Sequence, residues 1–318
     1  MSQDLIEIIK YQPEFKNVWD EFVESSKNGT FLFNRDFMDY HSDRFKDYSL
    51  MIYRKGKPYC LFPACIIGNS IYSHAGLTYG GFIMSSSSTA EGILQAMEQM
   101  TMEMRNKGIE KIIYSPVPHI YHLMPSEEDI YSLFRLKANL ITRNISSTIL
   151  LKNDPPFYKD RKSALKKALK NGIEVKKSND FKTFWSILES NLTSKYNTSP
   201  VHSLDEILQL AGSFPENIKL WCAFKDTEMI AGAVCFYTHR VVHTQYISAN
   251  ETGKKVGAVD LIIHELIETL KRETGSIKYF DLGTSNGQNG MFLNTSLIYQ
   301  KEGFGGRGIC YDTYELEL

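Results

Sequence analysis

The apolar positions change period along the chain, and the changes mark out two similar halves. Residues 4 to 10 read as a short strand, and Phe15, Val18, Trp19, Phe22 and Val23 fall at helical spacing after Pro13, with Asn28-Gly29 as the stop. A second helix is predicted over Arg35 to Phe45. Leu50 to Arg54 and Tyr59 to Ile67 are strand-like and are joined by Lys55-Gly56-Lys57-Pro58, a hairpin signal. Ser73 to Ile83 mixes glycines with aromatic and hydroxyl residues, which suits either a close backbone approach to a ligand or a bulged strand. A helix over about Thr89 to Lys107 then leads into a strand at Lys111 to Tyr114, and Pro116, Pro118 and Pro125 break the next stretch of chain.

The second half repeats this order. Thr142 to Lys152 predicts a strand, and Asn153-Asp154-Pro155-Pro156 the break that separates a domain over 1–152 from one over 153–318. Lys159 to Lys170 is a basic helix with one narrow apolar stripe of Ala164, Leu165, Ala168 and Leu169. After a strand at Ile173 to Lys177 come helices from Phe181 to about Leu192 and over 203–212, the latter opened by a Ser203/Glu206 capping box. Lys219 to Phe224, Met229 to Thr238 and Val241 to Ala249 form a three-strand meander. A helix over Gly257 to Glu273, a strand ending at Asp281 and an alternating tail from Ile309 to Leu318 complete it, the tail closing the sheet. The predicted class is α/β (α+β), a tandem of units that each have a mixed, mostly antiparallel sheet flanked by helices.

Composition narrows the function classes. With 318 residues, 42% hydrophobic and 23% charged, the chain can bury substantial cores. A formal net charge of -1 offers no global attraction to nucleic acid, so a polyanion contact has to come from a local patch such as residues 159–170. Five cysteines without a Cys-x-x-Cys spacing predict buried thiols rather than disulfides or a zinc site, and no metal is expected. No basic leader or apolar run of roughly 20 residues is seen, so a cytoplasmic protein without membrane insertion is expected.

Candidate chemistry concentrates near the C-terminal strands. Asp281 is expected to end its strand beside Gly283 and Ser285, where open sheets place ligands. Strict alternation puts Val242, Thr244, Tyr246 and Ser248 on one face of their strand and His243, Gln245 and Ile247 on the other. Asp281, Tyr246 and His243 are the candidate bases, a histidine being the side chain that changes charge near neutral pH. The segment from Ser248 through Asn250, Gly253, Lys254, Lys255 and Gly257 to Ala258 lies between strand and helix, where free N–H groups bind phosphate. Lys301, ahead of Gly303-Phe304-Gly305, suits a carboxylate or phosphate.

The order FDLGTSN at Phe280 to Asn286, NG at Asn289-Gly290, YQKEGFGG at Tyr299 to Gly306 and a Tyr-rich closing strand resembles the C-terminal signature of the FemAB-like branch of the GNAT acyltransferase superfamily. Thr148-Ile149-Leu150-Leu151, the basic helix after it and Lys195-Tyr196-Asn197-Thr198-Ser199-Pro200-Val201-His202 extend the likeness. The resemblance implies two GNAT-like domains, the second with the more complete site. It implies transfer of an acyl or aminoacyl group to an amine of a cell-wall or surface-polysaccharide precursor, with acyl-CoA as donor and aminoacyl-tRNA as runner-up. Lys195, Tyr196, His202, Ser285, Asn286, Lys301 and Phe304 would then contact the substrate. Against the family's phosphate loop, Lys254 stands where Gln or Arg is expected and Val259 where Gly or Ala is. The competing reading is a non-catalytic saccharide- or peptide-binding module.

Overall fold

The computed structural model describes residues 6–153, 155–273 and 275–318, and the side chains of Lys195 and Tyr196 lie outside the described residues. Positions 4 and 5 of the first expected strand and Asp154 of the expected break lie outside them too. The chain forms two compact units: 1–145 with 286–292 and 310–318, and 146–285 with 293–309. The boundary expected at 152/153 rests on proline spacing. By contacts the crossing falls inside a strand, and the tail strand from Cys310 belongs to the first unit.

In the first unit, strand β1 (Ile6–Lys10) precedes helix α1 (Lys16–Ser25), with Pro13–Phe15 as a separate 3₁₀ turn. Helix α2 is only Arg35–Met38 and gives way to a 3₁₀ turn at Asp39–His41, shorter than the run to Phe45 that the sequence predicts. The buried Arg35 guanidinium meets Asp39 and Asp47 there and lies 3.9 Å from the Tyr11 ring centroid, tying the segment to tertiary partners. Strands β2 (Leu50–Arg54) and β3 (Lys57–Phe62) form the expected hairpin, followed by β4 (Cys65–Ile67), β5 (Ser70–Tyr72) and β6 (Ile83–Met84). Helix α3 (Ala90–Asn106) buries Ile93, Ala96, Met97, Met100 and Met104 at three- and four-residue spacing, its first turn capped by Thr89. Strand β7 (Lys111–Tyr114) and helix α4 (Glu128–Arg135) follow. The glycines of Ser73–Ile83 serve packing: a Cβ on Gly80 would stand 2.0 Å from the Ser73 carbonyl, and one on Gly81 2.7 Å from the Tyr114 ring.

The chain passes between the units within β8 (Asn139–Leu150). The second unit continues with α5 (Lys159–Lys170), β9 (Ile173–Ser178), α6 (Phe181–Tyr196) and α7 (Leu204–Ser213), whose capping box forms as predicted. The meander is β10 (Ile218–Lys225), β11 (Glu228–Tyr237) and β12 (Val241–Ala249). The helix expected over Gly257 to Glu273 forms as α9 (Ala258–Arg272), and a short unexpected helix, α8 (Glu251–Val256), precedes it, the two separated by Gly257 at φ 80°. Strand β13 (Tyr279–Thr284), the short β14 (Asn286–Gly287) and β15 (Phe292–Leu293), helix α10 (Thr295–Gly303) and β16 (Arg307–Glu317) end the chain. Leu261, Ile262, Leu266 and Ile267 of α9 pack on Ala231, Ala233 and Cys235 of β11 and on Val242. That core packs β11 and β12 against α9.

Candidate functional site

The site begins where two parallel strands separate. β12 and β13 pair through only Val241–Tyr279, Val242–Phe280 and His243–Asp281, while β13 runs antiparallel to β8 on its other side. Each strand is bulged just beyond the last pair. In β12 the register slips so that Tyr246 faces Val234 and Thr244 faces Cys235, leaving Gln245 as the extra residue. In β13 Asp281 faces Thr148 and Thr284 faces Ser146, and Gly283 between them takes φ 79°, a conformation that favours glycine. Bulges of this kind re-aim side chains beside functional sites.

The first bulge corrects the expected alternation. His243, Tyr246 and Ser248 face Phe236, Val234 and Gly232, which are alternate residues of β11, so all three share the face covered by α6. Val242 and Thr244 point to the α9 side instead. An extra residue inverts the parity of everything after it.

Asp281 lies inside β13 rather than at its end, and it is fully buried. Its Oδ1 accepts from the Ser146 hydroxyl, from Thr148 Oγ1 at 2.9 Å and from the Gly283 N–H at 3.2 Å. Its Oδ2 lies 2.9 Å from His243 Nδ1. A carboxylate can only accept, so Nδ1 carries the hydrogen, and in the neutral ring the lone pair is then on Nε2. The imidazole is 14% exposed while its carboxylate is 0% exposed. A partly exposed imidazole is therefore oriented by a buried carboxylate.

Lys301 of α10 completes the group. Its Nζ donates to the Gly283 and Thr284 carbonyls at 2.8 and 2.7 Å. Burial lowers its pKa to about 8, against the pull of Asp281 in the other direction. An ammonium has three hydrogens, so one remains for a further oxygen. Ser285, just past the same strand, buries its hydroxyl without a partner among the described residues, while its carbonyl accepts from the Asn294 N–H.

The other sequence candidates fall elsewhere. Tyr246 bonds His202 Nδ1 at 2.5 Å, receives the His202 N–H at 3.2 Å and meets the Trp185 ring edge-on. These contacts join β12 to the 197–202 loop, and burial raises the pKa of the hydroxyl. Asn286 accepts from the Ile145 N–H and so orders the 286–292 turn in the first unit. Phe304 is core, packed against Phe157. The side chains of Lys195 and Tyr196 lie outside the described residues.

The phosphate loop expected over 248–258 takes a different form. Asn250 caps α8 by accepting from the Gly253 N–H, and a Cβ on Gly253 would sit 2.3 Å from the Ile230 carbonyl. A Cβ on Gly257 would sit 2.7 Å from the Ala164 carbonyl, ahead of the fully buried Ala258. Both glycines admit protein backbone, not a ligand. Lys254 Nζ is engaged by Asn191 and Glu251, and Asn191 also bonds Ser248, while Lys255 is exposed. The adjoining cleft of about 620 Å³ is lined by Asp180, Glu228 and Glu251, with Lys254 as its one cation among the described residues. This does not fit a pyrophosphate.

Sequence reasoning missed Ser146 and Thr148. The hydroxyl run Ser146-Ser147-Thr148 inside a predicted strand was the available signal, since buried hydroxyls need partners.

Residues 157–289 match the family model for an acetyltransferase (GNAT) domain. Among solved structures the chain is similar to FemX, with a TM-score of 0.70 and 11% identity over 98% of this chain and 97% of that one. It is also similar to L-PGS from Bacillus licheniformis, with a TM-score of 0.62 and 11% identity over 96% and 92%. A tandem GNAT protein from the clavulanic acid biosynthesis pathway gives a TM-score of 0.54 and 10% identity over 98% of each chain. No curated protein sequence matches this one. The chain has the FemAB-like GNAT fold, two GNAT-like units in tandem. Among the described residues no helix is long and apolar enough to cross a membrane.

Proposed function

We propose, from the GNAT domain that residues 157–289 match, that the chain is an N-acyltransferase whose base is His243. The observation that carries the reading is the His243–Asp281 pair at the point where β12 and β13 part. A neutral amine attacks the acyl carbonyl carbon, and His243 Nε2 takes a proton from the nitrogen. The carbonyl electrons move to oxygen, which accepts a hydrogen bond from the remaining Lys301 N–H. Collapse expels the donor's leaving group, which takes that proton away. Asp281 keeps the imidazole in the productive tautomer.

The acceptor we favour is an amine on a cell-wall or surface-polysaccharide precursor. Acyl-CoA is the donor that a GNAT domain implies. A second reading, an aminoacyl-tRNA donor, is favoured by the protein-filled glycines and engaged Lys254 of the 248–258 segment. The exposed lysines of α5 would be its contact.

Thermal stabilisation by acetyl-CoA, CoA and longer acyl-CoAs, followed by charged tRNA, separates the donors. A ligand at about 100 times its Kd stabilises by about 2.7 kcal/mol. Acyl transfer to an amine that His243→Ala slows by about 10²–10⁴-fold is the expected result. No stabilisation and no transfer with any donor would return the chain to the binding-module reading.

A further inference from the structure

The first unit contains a pocket that the proposed acyl transfer does not use. It has a volume of about 480 Å³ and is lined by Arg54, Lys55, Lys57, Pro58, Tyr59 and Ser87. Among these described residues three are cations and none is a carboxylate. We infer that this corner binds a diphosphate-bearing small molecule.

Arg54 and Lys57 are direct cross-strand partners in the β2–β3 hairpin, and the pairing carries a cost. Like charges placed opposite one another on neighbouring strands repel. Stability alone would select opposite charges, and the second unit shows that choice: the matching β10–β11 hairpin pairs Lys225 with Glu228. The two turns are alike, with Lys55 at φ 53° and Asp226 at φ 53°. Each hairpin also borders the start of the helix after the next strands, α3 in one unit and α8 in the other. The architecture thus forms equally well with carboxylates, as the acid-lined cleft beside α8 demonstrates. The cations beside α3 are a property of this pocket, not of the fold.

The pocket is also built. Arg54 stacks over the Tyr59 ring at 5.4 Å. Tyr59 Oη accepts the Thr89 N–H at 3.0 Å, which brings the start of the 17-residue α3 to the same corner. Gly92 in its first turn leaves room for both side chains: a Cβ there would lie 2.1 Å from Tyr59 Oη and 2.6 Å from Arg54 Nη1. Ser87 adds a hydroxyl held by Ser85 at 3.1 Å. Glu91 is the acid of that turn and meets Gln95. Cations on two strands and their turn, with a helix dipole pointing the same way, fit a multiply charged anion better than a single carboxylate. The volume leaves space for a group attached to the phosphates.

The test is calorimetric titration of the full chain with inorganic pyrophosphate and with ADP, in wild type and in the Lys55→Ala, Lys57→Ala double variant. Both lysines are exposed, so the variant keeps its fold. Binding at micromolar to low millimolar Kd, weakened at least about tenfold in the double variant, is the expected result. The Lys254→Ala, Lys255→Ala variant should bind as wild type does. Binding lost in that control and kept in the double variant would overturn the assignment, as would no heat from either ligand. Variant-sensitive binding seen only with vesicles of phosphatidic acid, and not with the soluble diphosphates, would overturn it as well.

Discussion

Each unit buries an aspartate that is bonded to a polar side chain, and the two partners differ in exposure. In the first unit Asp129 receives the Tyr114 hydroxyl and the Ile130 N–H, both at 2.8 Å, and Tyr114 Oη in turn accepts the Phe82 N–H. Tyr114 is packed between Phe62 and Phe82, so acid and partner are both sealed in apolar surroundings. Burial raises the Asp129 pKa to about 7. In the second unit Asp281 is as deeply buried, but its partner His243 reaches the surface. A buried acid becomes a device for chemistry when the group it orients is accessible. When that group is also buried, it is a structural bond.

The largest effect expected from this contrast is on turnover. His243→Ala should lower kcat by about 10²–10⁴-fold, the usual size of a general-base contribution, and destabilise the fold by about 1–3 kcal/mol because buried Asp281 Oδ2 loses its partner. Asp129→Asn should leave kcat as it is. Steady-state kinetics of the two variants test the contrast, and an equal loss in both would erase it.

Asp281→Asn should approach the His243→Ala loss for a different reason. The amide would donate to Nδ1, moving the imidazole hydrogen to Nε2 and removing the base. Full burial and the bonds to Ser146, Thr148 and Gly283 add an expected destabilisation of about 1–3 kcal/mol. Denaturant unfolding beside kinetics separates the two components.

Lys301→Met removes one donor and should cost about 10²–10³ in kcat. Because burial depresses the lysine to about 8, the folded protein gives up this proton before the unfolded chain does. Wild-type stability therefore gains from pH 8 upward to the unfolded value of 10.5. The stability of Lys301→Met relative to wild type should fall across that window, and a flat difference would remove the buried ammonium from the account.

The smallest effect is in the first unit. Asp129 is raised from 3.8 to about 7, so its protonated form stabilises the fold below the unfolded value and that contribution is lost as pH rises through about 7. Wild type should lose stability relative to Asp129→Asn between these values. Activity should not follow.

Much of this is legible in the residues. The hairpin at Lys55–Lys57, the Ser203 capping box, the meander and the tandem order come from turn chemistry and periodicity, which act over a few neighbours. His243, Asp281 and Lys301 all stand out as candidates. Their association is not legible, because 38 residues separate His243 from Asp281 and 135 separate Ser146 from Asp281. Nothing local in Gln245 announces a bulge, which comes from matching β12 to β11 across the sheet. The glycines at 253 and 257 look like room for phosphate because a sequence shows a missing side chain without showing what fills its place.

By itself, then, the sequence determined the local elements, the doubling of one α/β plan and the supply of polar residues at the C-terminal strands. Tertiary structure alone decided which of them act together. Parallel pairing that stops after His243–Asp281, with a bulge on either strand, turns one histidine outward over a buried carboxylate. That decision depends on strands brought together from distant parts of the chain, and the energy that sets their register lies in cross-strand packing rather than in either strand's own residues.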